Sequence, residues 1–287
     1  MCSEIHSKQD LTYKFIIKTL NIRFHRYLGY EGEKLTFNNV ELIPPANDNK
    51  YMDISYNVDE IINVNIEHQS SPVYESKMRD IYKYHIYLEA EDKKPVISCV
   101  VGTYNPNYGC KNAKIDYNMT ISPDFFLLKD KNAKEILSNI KFKVKNNIPL
   151  TDNEAIDLIL TPDMSHNFDI VKLFEITSDL LKRAIILDNG FRLDLFACHK
   201  KMLRRFFNQD DYVRFVKMVN IKAEDYGFEP NVTGFEEAVE LSYIEGKEDG
   251  FDEKNLDVAS KMFDLGFDEE DVFKVTGLTR EDINCIK

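Results

Sequence analysis

The sequence predicts a mixed α/β core over residues 1–150, followed by an all-helical C-terminal extension. Three observations carry the prediction. Segments 52–58 and 62–69 alternate apolar and polar residues with period two, the signature of strands. A helical pattern over 75–90 then leads past Pro95 into the apolar run 96–101, which reads as a buried strand. From residue 151 onward the apolar spacing is helical throughout.

Taken in order, residues 9–29 suit one amphipathic helix. Leu11, Phe15, Leu20 and Phe24 approximate an apolar stripe, and Lys14, Lys18, Arg23 and Arg26 carry charge. A short strand is expected at 40–43, ended by Pro44 and Pro45. The strands 52–58 and 62–69 follow, then the 75–90 helix and the 96–101 strand. Strand, crossover helix and strand imply parallel neighbours joined by a right-handed connection. The core closes on Lys129, Lys131, Lys134, Lys141, Lys143 and Lys145. A helical segment occupies 151–225, with helices expected at 152–160, 167–187 and 193–207. An acidic helical tail fills 226–287. Gly266 and Gly277 punctuate its short helices, Asp268 can cap one, and Thr279 with Asp282 resembles a capping box.

Composition excludes several classes. Of 287 residues, 43% are apolar and 30% charged, which rules out wholesale disorder, a fibrous repeat and a membrane bundle. No run approaches ~20 consecutive apolar residues, so no membrane span is expected. The start MCSEIHSKQD lacks the basic-then-apolar order of a signal peptide. The five cysteines are widely spaced and form no CxxC pair, which argues against a disulfide framework or zinc ribbon and for a reducing cytoplasm. The net charge of −12 belongs to the second half: residues 1–150 hold 20 Lys/Arg and 19 Asp/Glu, residues 151–287 hold 17 and 30. That balance disfavours a nonspecific nucleic-acid coat but leaves room for a basic groove in the first half.

The two alternating strands carry the functional argument. Met52, Ile54, Tyr56 and Val58 share one face, and Asp53, Ser55 and Asn57 the other. In the next strand Ile62, Val64, Ile66 and His68 oppose Asn63, Asn65, Glu67 and Gln69. With Asp59, Glu60 and Ile61 as a three-residue loop, Asp53 falls directly opposite Glu67. Paired carboxylates at Cβ separations of ~5 Å repel each other. A divalent cation such as Mg²⁺ or Mn²⁺ turns that repulsion into binding. A two-residue loop would instead place the two on opposite faces. The pattern alone is equally met by an ordinary antiparallel pair with its polar face in water.

These residues resemble a known family. Asp53 with Val64-Asn65-Ile66-Glu67-His68-Gln69 is similar to the D…VNIExQ core of the recombination-promoting nuclease (Rpn) and putative transposase family, of the PD-(D/E)xK nuclease superfamily. Asp10, Tyr13 and Lys14 resemble its early DxxFK motif, Arg79 and Tyr82 its R-x-x-Y, and Lys94-Pro95-Val96-Ile97 its next strand. LTDNEAIDLILTPDM (150–164) resembles a helical segment of many members, and ASKMFDLGFDEEDVFKVTGLTREDI (259–283) the family's ending. The resemblance implies a restriction-endonuclease-like core and metal-dependent DNA cleavage linked to recombination or mobile elements. Carried over, Asp53 and Glu67 become ligands of Mg²⁺, or of Mn²⁺ in its place, and the His68 backbone carbonyl can complete the set. Gln69 stands where the superfamily has lysine. It can orient the attacking water but brings no positive charge, which leaves that role to the metal and to Lys50 or Arg79.

The supporting residues have two readings each. Asp10 is either the N-cap of the first helix or a further acidic group behind the metal ligands. Arg79 either grips a phosphate or pairs with Glu75 on a solvated face. Tyr82 and His68 read as packed side chains. Lys141, Lys143 and Lys145 either line a DNA groove or form a solvated face. The tail's helix pair invites a helix-turn-helix reading, but its acidity favours a packing, dimerisation or partner-binding element. The expected protein is a cytoplasmic DNA endonuclease acting as a homodimer, with a regulatory protein partner conceivable through the acidic half. The alternative is a catalytically inactive nuclease fold serving interaction or regulation.

Overall fold

The computed structural model describes residues 2–38, 52–117, 119–208, 211–212 and 214–215. The chain divides into two units, 1–221 and 222–287. The second unit, the acidic tail, Lys50 and the strand expected at 40–43 lie outside the described residues.

The chain begins with α1 (Cys2–Leu20) and α2 (Ile22–Tyr27) where one helix over 9–29 was expected. Asn21, at φ 50° and ψ −125°, separates them, since that positive-φ conformation lies outside the helical regions and breaks the run. Asp10 therefore lies inside α1, and the N-cap reading for it is corrected: the helix starts one residue into the chain.

The elements that follow are β1 (Leu35–Phe37), β2 (Ile54–Val58), β3 (Ile62–Gln69), α3 (Glu75–Asp92), β4 (Val96–Gly102), β5 (Ala113–Asp116), β6 (Met119–Ile121) and β7 (Asp124–Leu127). They build a five-stranded sheet in the order β1-β2-β3-β4-β7, with β5 and β6 as a separate pair. The β1–β2 and β2–β3 pairs are antiparallel, whereas β3–β4 and β4–β7 are parallel. The sheet is therefore mixed, and the β3–α3–β4 crossover joins parallel neighbours as the sequence predicts.

Each face of the sheet is covered. On one side Tyr13 of α1 stacks on His68, and His25 and Tyr27 of α2 meet Tyr56 and Phe126. On the other side α3 packs Met78 and Ile81 against Val100. Lys93, in a left-handed conformation at φ 54°, closes α3 just ahead of Pro95.

Four helices complete the described chain: α4 (Ala133–Lys145), α5 (Asp152–Leu160), α6 (Ile170–Arg183) and α7 (Asn189–Phe206). The lysine-rich stretch thus becomes a helix. Leu137, Ile140 and Val144 give it a buried stripe, and Asn132 caps it by accepting from the Lys134 and Glu135 amides. Thr151 and Glu154 form a reciprocal capping box at the start of α5. These helices dock on the first two. Arg23 of α2 bonds Asp152 and Asp188, and Tyr27 and Lys131 share Asp157. The helical segment thereby packs within the same unit as the sheet.

α7 also buries an imidazole. His199 is enclosed, with Nε2 3.1 Å from Thr177 Oγ1 and the Phe174 ring edge-on at 5.9 Å. Burial pulls its pKa from 6.5 down to about 4. The unfolded chain binds this proton below pH 6.5 and the folded chain only near pH 4, so stability is full above 6.5 and falls as pH drops through that window. The expected loss is on the order of 3 kcal/mol by pH 4. Urea unfolding of wild type and His199→Gln between pH 4 and 7 checks it: an equally steep pH dependence in both proteins would refute the assignment.

Candidate functional site

The site begins with a turn. Ile61 N donates to Val58 O at 2.9 Å, and Asp59 and Glu60 adopt φ of 52° and 62°. Positive φ at both central residues is the hairpin geometry whose twist matches that of the strands. Asp59 is held there by the Glu33 and Lys34 amides, which donate to its carboxylate. Val58 pairs with Ile62 and Ile54 with Ile66, so residues 59–61 form a three-residue loop. One step further along that register, Asp53 meets Glu67.

The polar face of the hairpin is not in water. Ser55, Asn57, Asn63, Asn65 and Glu67 are all buried. This corrects the solvent-facing reading. α3 lies over that face, with Lys77 reaching Glu67 and Asp92 accepting from Asn63 Nδ2.

Two carboxylates and two ammonium groups meet at the end of the hairpin. The Asp53 amide donates to Glu67 Oε1 at 3.3 Å, and the His68 amide donates to Asp53 Oδ2 at 3.0 Å. Lys14 of α1 stands 3.3 Å from Asp53 Oδ1. Lys77 of α3 lies 2.6 Å from Glu67 Oε2, with Glu67 at 0% exposure and Lys77 at 30%. The helices covering the two faces therefore each contribute one cation.

The electrostatics are lopsided. Burial and then the Asp53 charge push the Glu67 pKa up from 4.5 to about 7, and Lys77 offsets only part of this. Lys77 is itself pushed above its ordinary value, because Glu67 and Asp53 outweigh its own burial. The ammonium is thus firmly charged, while the buried carboxylate is the strained member of the pair.

His68 projects to the opposite face. It is buried, stacked on Tyr13 at 4.2 Å and 9°, with Nδ1 2.8 Å from Asp10 Oδ1. This agrees with reading it as a packed side chain, and it places Asp10 behind the strand that carries Glu67. Gln69 O accepts from Thr103 N, so the Gln69 backbone faces β4. Backbone groups alternate along a strand, so the His68 carbonyl points with its amide toward Asp53.

The remaining candidates are placed elsewhere. Arg79 is exposed and bonds Glu75 at 2.7 Å and the Lys114 and Ile115 carbonyls at 3.3 Å. Lys141 and Lys145 are exposed on α4, whereas Lys143 pairs with Glu154 at 2.7 Å. Lys129 and Lys131 also turn inward, to the Met164 carbonyl and to Asp157. Tyr82 is half-buried at a cavity of about 500 Å³ between α3 and β4.

Lys77 escaped the sequence reading, yet a signal was present. It falls in helical phase with Ile81, Tyr84 and Leu88, the buried stripe of α3. A lysine on an apolar stripe needs a partner, and Glu67 stands on the polar face of the strand just before this helix.

The donor set suits a hard cation. Among the described residues no group of three or more His, Cys, Asp or Glu forms a ligand cluster. Mg²⁺, however, is commonly held by one or two carboxylates together with waters and substrate phosphate. Asp53 and Glu67 offer those oxygens. Beside them Asn65 is fully buried with neither amide atom hydrogen-bonded, so the same face holds further uncommitted polar capacity.

Among comparisons with known proteins, no curated protein and no solved structure matches the chain. A family model does match, over residues 252–287: the C-terminal HTH domain of the Rpn/YhgA-like nuclease family. The matched segment contains the ending at 259–283 on which the resemblance was noted. The match makes residues 252–287 similar to an HTH domain, whereas the acidity of the tail had favoured a packing, dimerisation or partner-binding element. The match at 252–287 supports assigning the chain to the Rpn/YhgA-like nuclease family.

Proposed function

We propose that the protein is a metal-dependent DNA endonuclease that hydrolyses phosphodiester bonds. The observation that carries this reading is the buried, strained Glu67 set against Asp53 across the hairpin. Asp53 and Glu67 would hold the ion, with the His68 carbonyl beside them. Bound Mg²⁺, or Mn²⁺ in its place, supplies Lewis acidity at a phosphate oxygen and a water of lowered pKa. Hydrolysis joins the water oxygen to phosphorus, breaks one P–O ester bond and leaves the water's proton on the departing alkoxide. Gln69 shares the polar face with Glu67 by strand parity and would orient that water.

The HTH description of the tail supports DNA as the substrate, with exposed Lys141 and Lys145 adding phosphate contacts. One such site cuts one strand, so a duplex break calls for two copies. The free thiols of Cys99, Cys110 and Cys198 suit a reducing cytoplasm. No helix among the described residues is long and apolar enough to cross a membrane.

One observation favours the competing reading of a non-cleaving interaction protein: both carboxylates already have an ammonium partner. Supercoiled-plasmid cleavage with Mg²⁺, Mn²⁺ or EDTA separates the two. Altering groups that merely support a metal ligand lowers activity ~10–100-fold, so Asp53→Ala is expected to lower nicking by at least about 100-fold. Absence of nicking in the wild type would favour the interaction reading. Nicking that survives in Asp53→Ala would show that this carboxylate is not a ligand.

A further inference from the structure

Hydrolysis of a phosphodiester builds negative charge on the phosphoryl oxygens and the departing alkoxide, and a site that speeds it must answer with positive charge. The strand position that could provide it holds Gln69, which is neutral. Arg79 is occupied with Glu75 and two carbonyls away from the carboxylates. The cation that the fold does bring to Glu67 comes from the helix.

We infer that Lys77 is the mobile positive charge of this site: it holds Glu67 when no divalent cation does, and turns to the substrate phosphate once the carboxylates are so occupied. The inference rests on the nuclease reading above and adds a residue to it.

Three features point to Lys77. Its Nζ lies 2.6 Å from Glu67 Oε2, on the most deeply buried carboxylate of the pair. It sits in the first turn of α3, the end of a helix where a positive charge is disfavoured by the backbone dipoles. A lysine kept there needs a local reason, and Glu67 is that reason. Finally, its side chain is 30% exposed although its partner is fully buried, so a route from the carboxylate to solvent exists. Lysine suits such a role, being a point charge on a flexible four-carbon stem rather than a planar fork.

The rearrangement follows from charge. With Asp53 and Glu67 facing each other, the Lys77 ammonium relieves their repulsion. When the two carboxylates hold a divalent cation, the same ammonium is repelled by it, and the nearest new negative charge is the bound phosphate. Lys77 thereby acts first as a competitor of the metal and then as a contact to the substrate.

Full-length Lys77→Met, Lys77→Arg and Asp53→Ala proteins test this beside wild type. Mn²⁺ affinity is read by calorimetry without DNA, plasmid nicking is read in Mg²⁺, and far-UV circular dichroism checks folding. Lys77→Met is expected to bind Mn²⁺ several-fold more tightly, because its competitor is gone, and yet to nick at least tenfold more slowly. Lys77→Arg keeps the charge and is expected to recover part of the nicking. Unchanged or weaker Mn²⁺ binding by a folded Lys77→Met protein would overturn the role, as would nicking equal to wild type. Should Lys77→Met fail to fold, Lys77→Gln takes its place under the same criteria: tighter Mn²⁺ binding with slower nicking upholds the role, and unchanged or weaker Mn²⁺ binding, or wild-type nicking, overturns it. Wild type that binds no Mn²⁺, or binds it as well after Asp53→Ala, would instead overturn the underlying metal-site reading.

Discussion

Replacing Arg205 with alanine is expected to lower the unfolding free energy by about 3–5 kcal/mol, the usual penalty for leaving one partner of a buried ion pair unpaired. Arg205 of α7 grips Asp163 through both terminal nitrogens, at 2.6 and 2.5 Å. The two side chains are 6% and 5% exposed. Tyr13 of α1 donates its hydroxyl to the same carboxylate at 2.6 Å. Burial, and then the Asp163 charge, push the Tyr13 pKa well above its ordinary value, so the phenol keeps its proton and remains a donor. In Arg205→Ala, Asp163 stays enclosed with a single neutral donor. At ~2–4 °C per kcal/mol for a domain of this size, the melting temperature should fall by roughly 6–20 °C. Pairing Asp163→Asn with Arg205→Met removes both charges and should recover most of the loss. Thermal unfolding of the three proteins checks this; a drop below about 1 kcal/mol in the single variant would show that the pair is dispensable.

Glu67→Gln should do the opposite to stability while abolishing activity. The net surroundings of Glu67, Lys77 included, disfavour its charged form, since its pKa rises to about 7. A neutral isostere escapes that penalty, and its one amide oxygen can still accept from Lys77, while its NH2 takes the place of the oxygen that met the Asp53 amide at 3.3 Å, the longer of the two bonds. The melting temperature is therefore expected to hold or to rise by a few degrees, corresponding to ~1 kcal/mol. Metal-dependent nicking is expected to fall at least about 100-fold under the proposed ligand role, since altering even groups that support a ligand costs ~10–100-fold. The combination is diagnostic: a structural ion pair would lose stability on this substitution, and a binding site under strain would not. A melting temperature several degrees below wild type would place Glu67 in the structural class.

Much of this was legible in the chain, for local reasons. Strand parity is a sequence property, but the loop length that decides the hairpin register is not; the structure sets it at three residues, and Asp53 and Glu67 stand as that loop length predicts. The β3–α3–β4 crossover, the strand after Pro95 and the limits of α5 also follow from local patterning. What could not be read depends on distant contacts. Alternation shows that Ser55, Asn57, Asn63, Asn65 and Glu67 share a face, but not that α3 covers it. Lysines between 129 and 145 look like one basic run, yet Lys129, Lys131 and Lys143 turn inward to partners supplied by later helices. Asp10 reads as a helix start or as a further acidic group, because aspartate favours the N-cap place, and only the fold sets it inside α1 against His68. Short β5, β6 and β7 carry too few residues for period two to emerge.

The turn at Asp59–Glu60 has a consequence for how such a gene changes. Substitutions along β3 alter one side chain at a time, but a single lost codon between 54 and 57, with the turn and its Val58–Ile62 pair kept, would move Asp53 by one place along β3. Asp53 would then stand opposite Ile66, and the two carboxylates would look out from opposite sides of the sheet. Composition and fold class would barely register the event. The number of residues between Asp53 and the hairpin turn is therefore as much a part of the site's chemistry as the acidic residues themselves.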